Sequence, residues 1–338
     1  MDAERAAWLA RTTETAFDAA QPICDPHHHL WDHPGDRYLL DELLADTGAG
    51  HNVVETVFVE CGSAYRTGGP PELAPVGETE FVAAAAAQSE QRRDAHGGAV
   101  IAGIVAFADL RLGAAVAEVL EAHRAAGGRR VVGVRHATAW DADPRVRNHR
   151  TDPKPELARD PAFQEGVRTL GRFGLTYDIW CYHPQLAEVV ELAQAAPETT
   201  VVVDHLGGPL GVGPYAGRHA DVLAACRGPL EALARLDNVR LKLGGIGMTI
   251  MGQRWHRREA PPTSTELAAV WAPHIHWCIE RFGPNRCMFE SNFPPDRASC
   301  SYTVLWNAFQ RIAAGAGPAE RDRLFRGTAV EVYGLAAG

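Results

Sequence analysis

Eight short, nearly continuous apolar runs recur along the chain, most of them separated by helix-like segments rich in Ala, Leu and Glu. They are 22–31 (PICDPHHHLW), 53–61 (VVETVFVEC), 99–107 (AVIAGIVAF), 130–137 (RVVGVRHA), 175–182 (LTYDIWCY), 199–206 (TTVVVDHL), 238–245 (NVRLKLGG) and 286–291 (RCMFES). Strands that read as unbroken apolar runs are buried on both faces, as in a parallel sheet covered by helices. Helices are expected at 78–95, 113–126, 161–173, 185–196, 221–236 and 265–282. Eight such units in 338 residues match a closed barrel better than a doubly wound sheet. No GxGxxG follows the first run, as a dinucleotide-binding sheet would require. The expected fold class is therefore α/β, a single (β/α)8 TIM barrel. Its long βα loops fall at 62–77, 138–160, 207–219 and 244–264, where they would wall an active site. One domain over 1–338 is expected, with residues 1–21 as an N-terminal helical extension.

Composition narrows the function. A net charge of −9 argues against a nucleic-acid partner, but it leaves room for a locally positive pocket. No apolar run approaches the roughly 20 residues of a membrane span, and the first twenty residues hold no apolar signal core. The seven cysteines are scattered, with no CxxC pair, so neither a disulfide framework nor a zinc knuckle is expected. A cytoplasmic protein acting on a small-molecule substrate follows, with homo-oligomerisation left open.

The sharpest local signal is Asp25-Pro26-His27-His28-His29-Leu30-Trp31. Alternate residues of a strand share a face, so His27 and His29 point one way and His28 the other. Two imidazoles at the end of a first barrel strand can chelate a divalent metal or bind an anionic oxygen. A chance histidine tract is the bland alternative, and the flanking strand start and aromatic argue against it. A second pair, His274 and His276, lies in a helical stretch. Residues two apart on a helix diverge by about 200°, so these are expected to pack or face solvent. His205 ends the buried run VVVDHL before a Gly-rich turn, where a histidine can serve as ligand, base or electrophile. His183, after the fifth run, is an equal case for a histidine held by loop backbone. Arg135 suits bidentate recognition of a carboxylate or lactone oxygen, with a structural ion pair to Glu60 or Asp178 as the alternative. Lys242, one of two lysines, shares a strand face with Arg240 and would line an anion-binding lumen. Trp31, Tyr65 and Arg254 are candidate substrate contacts.

The runs DPHHHLW, GVRH (133–136), VDHLGGP (203–209) and MFESNFP (288–294) fall at strands one, four, six and eight. Together they resemble the amidohydrolase-2 branch of the amidohydrolase superfamily. That branch includes L-fuconolactonase-like enzymes, 2-pyrone-4,6-dicarboxylate lactonase and non-oxidative decarboxylases. The resemblance implies that His27 and His29 match the family's first-strand pair, His205 its sixth-strand histidine, and His183 the fifth-strand histidine of metal-binding members. It breaks at the eighth strand, where the family usually reads GSDWP and this chain reads Glu290-Ser291-Asn292-Phe293-Pro294. Asn292 stands where the family places an Asp, and an amide is neither a base nor a good ligand. Glu290, two residues earlier on the same strand face, is the candidate replacement, unless it is salt-bridged to Arg240 or Lys242. With no lysine on the fourth strand, a carboxylated-lysine bridge between two metals is not supported.

The expected activity is hydrolysis of a small anionic cyclic ester, with His205, Glu290 and Asn292 as the catalytic candidates. One divalent metal, zinc preferred, is expected at His27, His29 and His183, with a metal-independent form as the alternative. Non-oxidative decarboxylation is the second reading, and a metabolite- or partner-binding barrel that has lost catalysis the third.

Overall fold

The computed structural model describes residues 3–96 and 98–335. Eight parallel strands follow one another in chain order around a single sheet. They are β1 (Pro22–His28), β2 (Asn52–Val59), β3 (Val100–Ala106), β4 (Val131–Arg135), β5 (Thr176–Ile179), β6 (Val201–Val203), β7 (Val239–Leu243) and β8 (Cys287–Phe289). A short helix, α1 (Ala3–Leu9), precedes them, and each strand is followed by a helix. These are α2 (Leu40–Thr47), α3 (Val76–His96), α4 (Val116–Gly127), α5 (Pro161–Arg172), α6 (Leu186–Ala195), α7 (His219–Ala234), α8 (Ser264–Phe282) and α9 (Tyr302–Ile312). The expected (β/α)8 barrel is the fold found. No described helix is long and apolar enough to cross a membrane.

Local chemistry starts the helices. Asp160 accepts the N–H groups of Ala162 and Phe163 ahead of Pro161, and Thr263 forms a capping box with Glu266. Four helices were not expected from the sequence: α2, α9 and the short Pro318–Asp322 and Thr328–Val332. At eight residues, α2 is too short to show its period, and in α9 the polar side chains Asn307 and Gln310 are themselves buried, bonded to the N-terminal segment. The first run also divides. The strand ends at His28, and residues Trp31–His33 leave the barrel to pair with Asp36–Tyr38 in a small antiparallel ribbon. Within 1–21, Ala3–Leu9 is helical and residues 10–21 are not.

The barrel closes at the C-terminal rim. His28 bridges Phe293 in parallel, His29 N–H donates to the Phe293 carbonyl at 2.8 Å, and Asn292 N–H donates to the His27 carbonyl at 2.9 Å. The seam is therefore made by the residues that flank the candidate site.

Two cores fill the molecule. One lies between sheet and helices. The other, inside the barrel, joins Cys24, Val57, Val105, Val202 and Met288 to Ala329, Tyr333 and Leu335 of the C-terminal segment. All seven cysteines are free, and His274 is buried against Trp277 while His276 bonds the Ile312 carbonyl.

Several histidines are buried as neutral rings. Burial pushes His28 down to about 3 and His123 and His274 to about 4. A base with a depressed folded pKa takes its proton more readily in the unfolded chain. Its contribution is intact above about 6.5 and is lost as pH falls through that value. Stability should fall by about 1.4 kcal/mol per such histidine between pH 7.5 and 5.5. Urea unfolding at the two pH values measures this, and a flat profile would contradict it.

Candidate active site

The site is built from strand ends. Strand β1 delivers His27 and β6 delivers Asp204 and His205, while β7 supplies Lys242 and β8 leads into Glu290. All five side chains are buried. After β6 the chain turns through four consecutive residues of positive φ: His205 (52°), Leu206 (57°), Gly207 (73°) and Gly208 (66°). The left-handed region costs a non-glycine residue roughly 1–2 kcal/mol, and it is met where surrounding structure enforces it. This turn carries the His205 ring over the barrel mouth. Gly244 and Gly245 make room for it. A Cβ on Gly244 would stand 2.3 Å from Glu290 Cγ, and one on Gly245 (φ 68°) would stand 2.7 Å from His205 Cβ and Cγ.

Glu290 sits between two imidazoles. Its Oε1 accepts from His205 Nδ1 at 2.6 Å and from the His205 backbone N–H at 3.0 Å. His27 Nδ1 lies 2.8 Å from Oε2. Burial works against the Glu290 charge, but His205 and His27 outweigh it and hold the carboxyl down at about 2. With Nδ1 donating to Glu290, the His205 lone pair is assigned to Nε2. Arg135 Nη1 approaches His27 Nε2 at 3.2 Å. The rings of His27 and His205 are 4.5 Å apart, and those of His27 and His29 4.9 Å. His29 Nδ1 meets the Val59 carbonyl at 2.7 Å, so Nδ1–H donates and Nε2 keeps its lone pair. Burial drives both His27 and His29 well below the usual histidine range.

Below these rings lies an ionic layer. Lys242 Nζ is 2.8 Å from Asp178 Oδ2, 3.1 Å from Asp204 Oδ1 and 4.0 Å from Glu290 Oε2. Burial opposes its charge, yet Asp178, Asp204 and Glu290 raise its proton affinity above the ordinary lysine value. Tyr333 O–H donates to Asp178 Oδ2 at 2.6 Å and ties the C-terminal segment to the same layer. Arg135 donates to Glu60 from Nε at 2.8 Å, and Arg150 also binds Glu60.

Above the layer opens a cavity of about 710 Å3. His29, Trp31, Arg135 and Arg254 line it, with Trp180 beside the His205 ring at 4.7 Å. His27 and His205 therefore sit one side chain below the cavity surface. Asn292 (φ 52°) turns its amide to Asp296, donating to Oδ1 at 2.7 Å. Tyr65 stands beside Arg150, its hydroxyl buried without a partner. Lys242 is fully buried beneath the histidines. His183 accepts the Leu210 N–H on Nδ1 and packs against Tyr215, away from the His27–His205 group. Arg240 bonds backbone carbonyls of Asp237 and Val239, lower on the strand. Of the carboxylates weighed for Arg135, Glu60 takes it, while Asp178 pairs with Lys242.

Asp204 did not stand out in the sequence. The signal for it is a carboxylate ending an all-valine strand beside His205. Neither of its buried oxygens has an aligned hydrogen-bond donor. His27, Asp204 and His205 bring ligand atoms within 4.8 Å of one another, a set that can hold a divalent metal. A carboxylate such as Asp204 can hold a metal cation, but Lys242 and Arg135, at 3.1 and 3.6 Å, already face its oxygens.

The chain belongs to the amidohydrolase family, whose amidohydrolase-2 branch matches residues 24–335. It is a hydrolase of that family. An uncharacterized protein, y4mH, from Sinorhizobium fredii is 30% identical over 334 residues, spanning 92% of this chain and 98% of its own. An L-fucono-1,5-lactonase from Burkholderia multivorans is 27% identical over 325 residues, spanning 92% and 95%. A solved Burkholderia multivorans amidohydrolase with bound zinc superposes with a TM-score of 0.71 at 24% identity, covering 93% of this chain and 99% of that one.

The glycine pair makes the site testable. Gly245→Ala should push the His205 ring off Glu290 and lower kcat by roughly 100-fold, the scale of a 1 Å misplacement. Turnover and the His205 imidazole NMR signals check this, and a variant with both unchanged would contradict the packing argument.

Proposed function

We propose that the protein hydrolyses the ring ester of a small anionic lactone, with His205 as proton acceptor and Glu290 as the carboxylate that orients it. The observation that carries this is the 2.6 Å contact between His205 Nδ1 and an ionised, fully buried Glu290 beneath a cavity without acidic walls. The similarity to an L-fucono-1,5-lactonase supports the ester as the bond attacked.

In this reading water adds to the ring carbonyl and gives its proton to His205 Nε2, and Glu290 offsets the imidazolium charge. Arg135, which lines the cavity, faces the oxyanion that forms. Collapse breaks the ring C–O bond, and His205 returns the proton to the departing alkoxide, leaving a hydroxy acid. Glu290 is then an orienting group and not the base, because a carboxylate held at about 2 is a weak proton acceptor. The role of His205 as base belongs to the metal-free site: a zinc ion held by His27, Asp204 and His205 would take the His205 Nε2 lone pair and would supply Lewis-acid polarisation of the carbonyl in place of that base.

His205→Asn should lower kcat by roughly 10²–10⁴ on a lactone that the protein turns over, and Glu290→Gln should fall in the same range with KM little changed. Groups acting as a unit are not additive, so the double variant should be no worse than His205→Asn alone. Multiplicative losses would refute the pair. Two fixed cations beside Asp204 and an amide at Asn292 should make zinc binding weaker than in a site with a full ligand set. Dialysis against chelator followed by metal analysis tests that, and a stoichiometric ion that survives dialysis would contradict it.

A further inference from the structure

Among the described residues the cavity wall holds six arginines, Arg135, Arg145, Arg147, Arg150, Arg254 and Arg257, together with three histidines, and no Asp, Glu or Lys. Their charges are unequally available. Arg135 and Arg150 both close on Glu60, and Arg145 is bound by Asp143 at 2.7 Å. No ion pair engages Arg147, Arg254 or Arg257 among the described residues. All three are exposed at the cavity, on a chain whose net charge is −9.

Their backbones are anchored. The Tyr182 hydroxyl donates to the Arg147 carbonyl. Arg254 holds φ at 55° and opens a tight turn, Trp255–Arg257. Just beyond that turn, Trp8 Nε1 donates to the Arg258 carbonyl and Arg11 to the Glu259 carbonyl, both at 2.9 Å. His256, between the arginines, is held below the ordinary histidine value by burial and then by Arg257, Arg5 and Arg254.

We propose that this outer wall is a subsite for a phosphate monoester carried by the substrate at a distance from the lactone ring. The inference rests on the lactone reading for the inner part of the cavity and adds the chemical class of the outer part. A phosphate monoester brings −1.5 to −2 charges and three acceptor oxygens, which match several guanidinium forks from two loops. A single carboxylate would occupy one fork and leave the others uncompensated. About 710 Å3 is in the range that takes a drug-sized ligand, more than a lone lactone ring fills.

Calorimetric titration with stable open-chain acids tests the subsite without turnover. The probes are gluconate, glucarate, 6-phosphogluconate and inorganic phosphate, added to the full-length protein. 6-Phosphogluconate should bind about 10–100-fold tighter than gluconate, and glucarate should fall well short of it. In an Arg147→Gln/Arg254→Gln/Arg257→Gln variant the phosphate preference should shrink toward unity, with far-UV circular dichroism as for the parent. Equal binding of 6-phosphogluconate and gluconate would overturn the proposal. So would a preference that survives the triple variant, or glucarate binding as tightly as the phosphate ester. Turnover of unphosphorylated lactones by the parent protein tests the lactone reading separately, so failure of one does not pass for failure of the other.

Discussion

Everything at the mouth of this barrel depends on one buried ammonium. Barrel interiors are usually filled by layers of branched aliphatic side chains. Here the lower layer is apolar, while the upper one holds Asp178, Asp204, Glu290 and Lys242, all with no solvent exposure. Exchanging a buried ion cluster for packed hydrophobes is often neutral or stabilising, so such a cluster is weak evidence for stability as its purpose. Removing one member is another matter, since it strands the remaining charges at a cost of several kcal/mol. Lys242 lies within 4.0 Å of all three carboxylates and so makes their ionised forms tenable together. Glu290, the farthest of the three, faces the histidines as an anion chiefly because His205 and His27 hold it so. A hydrophobic residue at 242 would strand Asp178 and Asp204, the carboxylates Lys242 approaches most closely.

Geometry is set by a second constraint, the place where the barrel closes. Strand β8 is short, and the sheet is joined by hydrogen bonds from His29 to Phe293 and from Asn292 to His27. The β1 histidines are thus fixed by the residues that immediately follow Glu290. His205 arrives from the opposite side on its left-handed turn, into space kept open by Gly244 and Gly245. Ring and carboxylate meet because seam, turn and glycine pair each leave one position available.

The sequence made the barrel readable because parallel strands buried on both faces stay apolar throughout, and all eight runs became strands. It also placed His27, His29, His205 and Glu290 near one another, since each ends or follows a strand. Depth was not legible. Periodicity tells which face Lys242 takes, but not that Asp178 and Asp204 would hold it under the histidines and away from the cavity. Partner choice was hidden for the same reason: Glu60 follows β2 and Asp178 lies on β5, both near Arg135, and the three-dimensional arrangement assigns Glu60 to Arg135 and Asp178 to Lys242. His183 falls at a strand end as His205 does, but the Leu210 N–H occupies its Nδ1. What could not be read for helix α9 is that its polar side, Asn307 and Gln310, is covered by the N-terminal segment.

The long loop after β7 has little regular structure and is held from both sides: Gly247 and Ile250 bond barrel loops, and the N-terminal segment grips its outer end. Trp8 donates to the Arg258 carbonyl, Arg11 to Glu259 and Thr12 to Pro261, Glu14 accepts the Ser264 N–H at the start of α8, and Arg5 reaches the Ala298 carbonyl in the loop after β8. Residues 5–14 therefore act as a strap over a wall of the cavity. Ile246 and Met251 bury the inner part of the loop in the core, and the strap holds its outer part, 255–263. Because the strap grips backbone groups, side chains on the cavity side of the loop can change without loosening it. The buried ionic layer has no such freedom, since each charge there answers another. Chemistry and recognition are thereby separated: the strap-held wall can be retuned for a different substrate, while the lumen admits few substitutions.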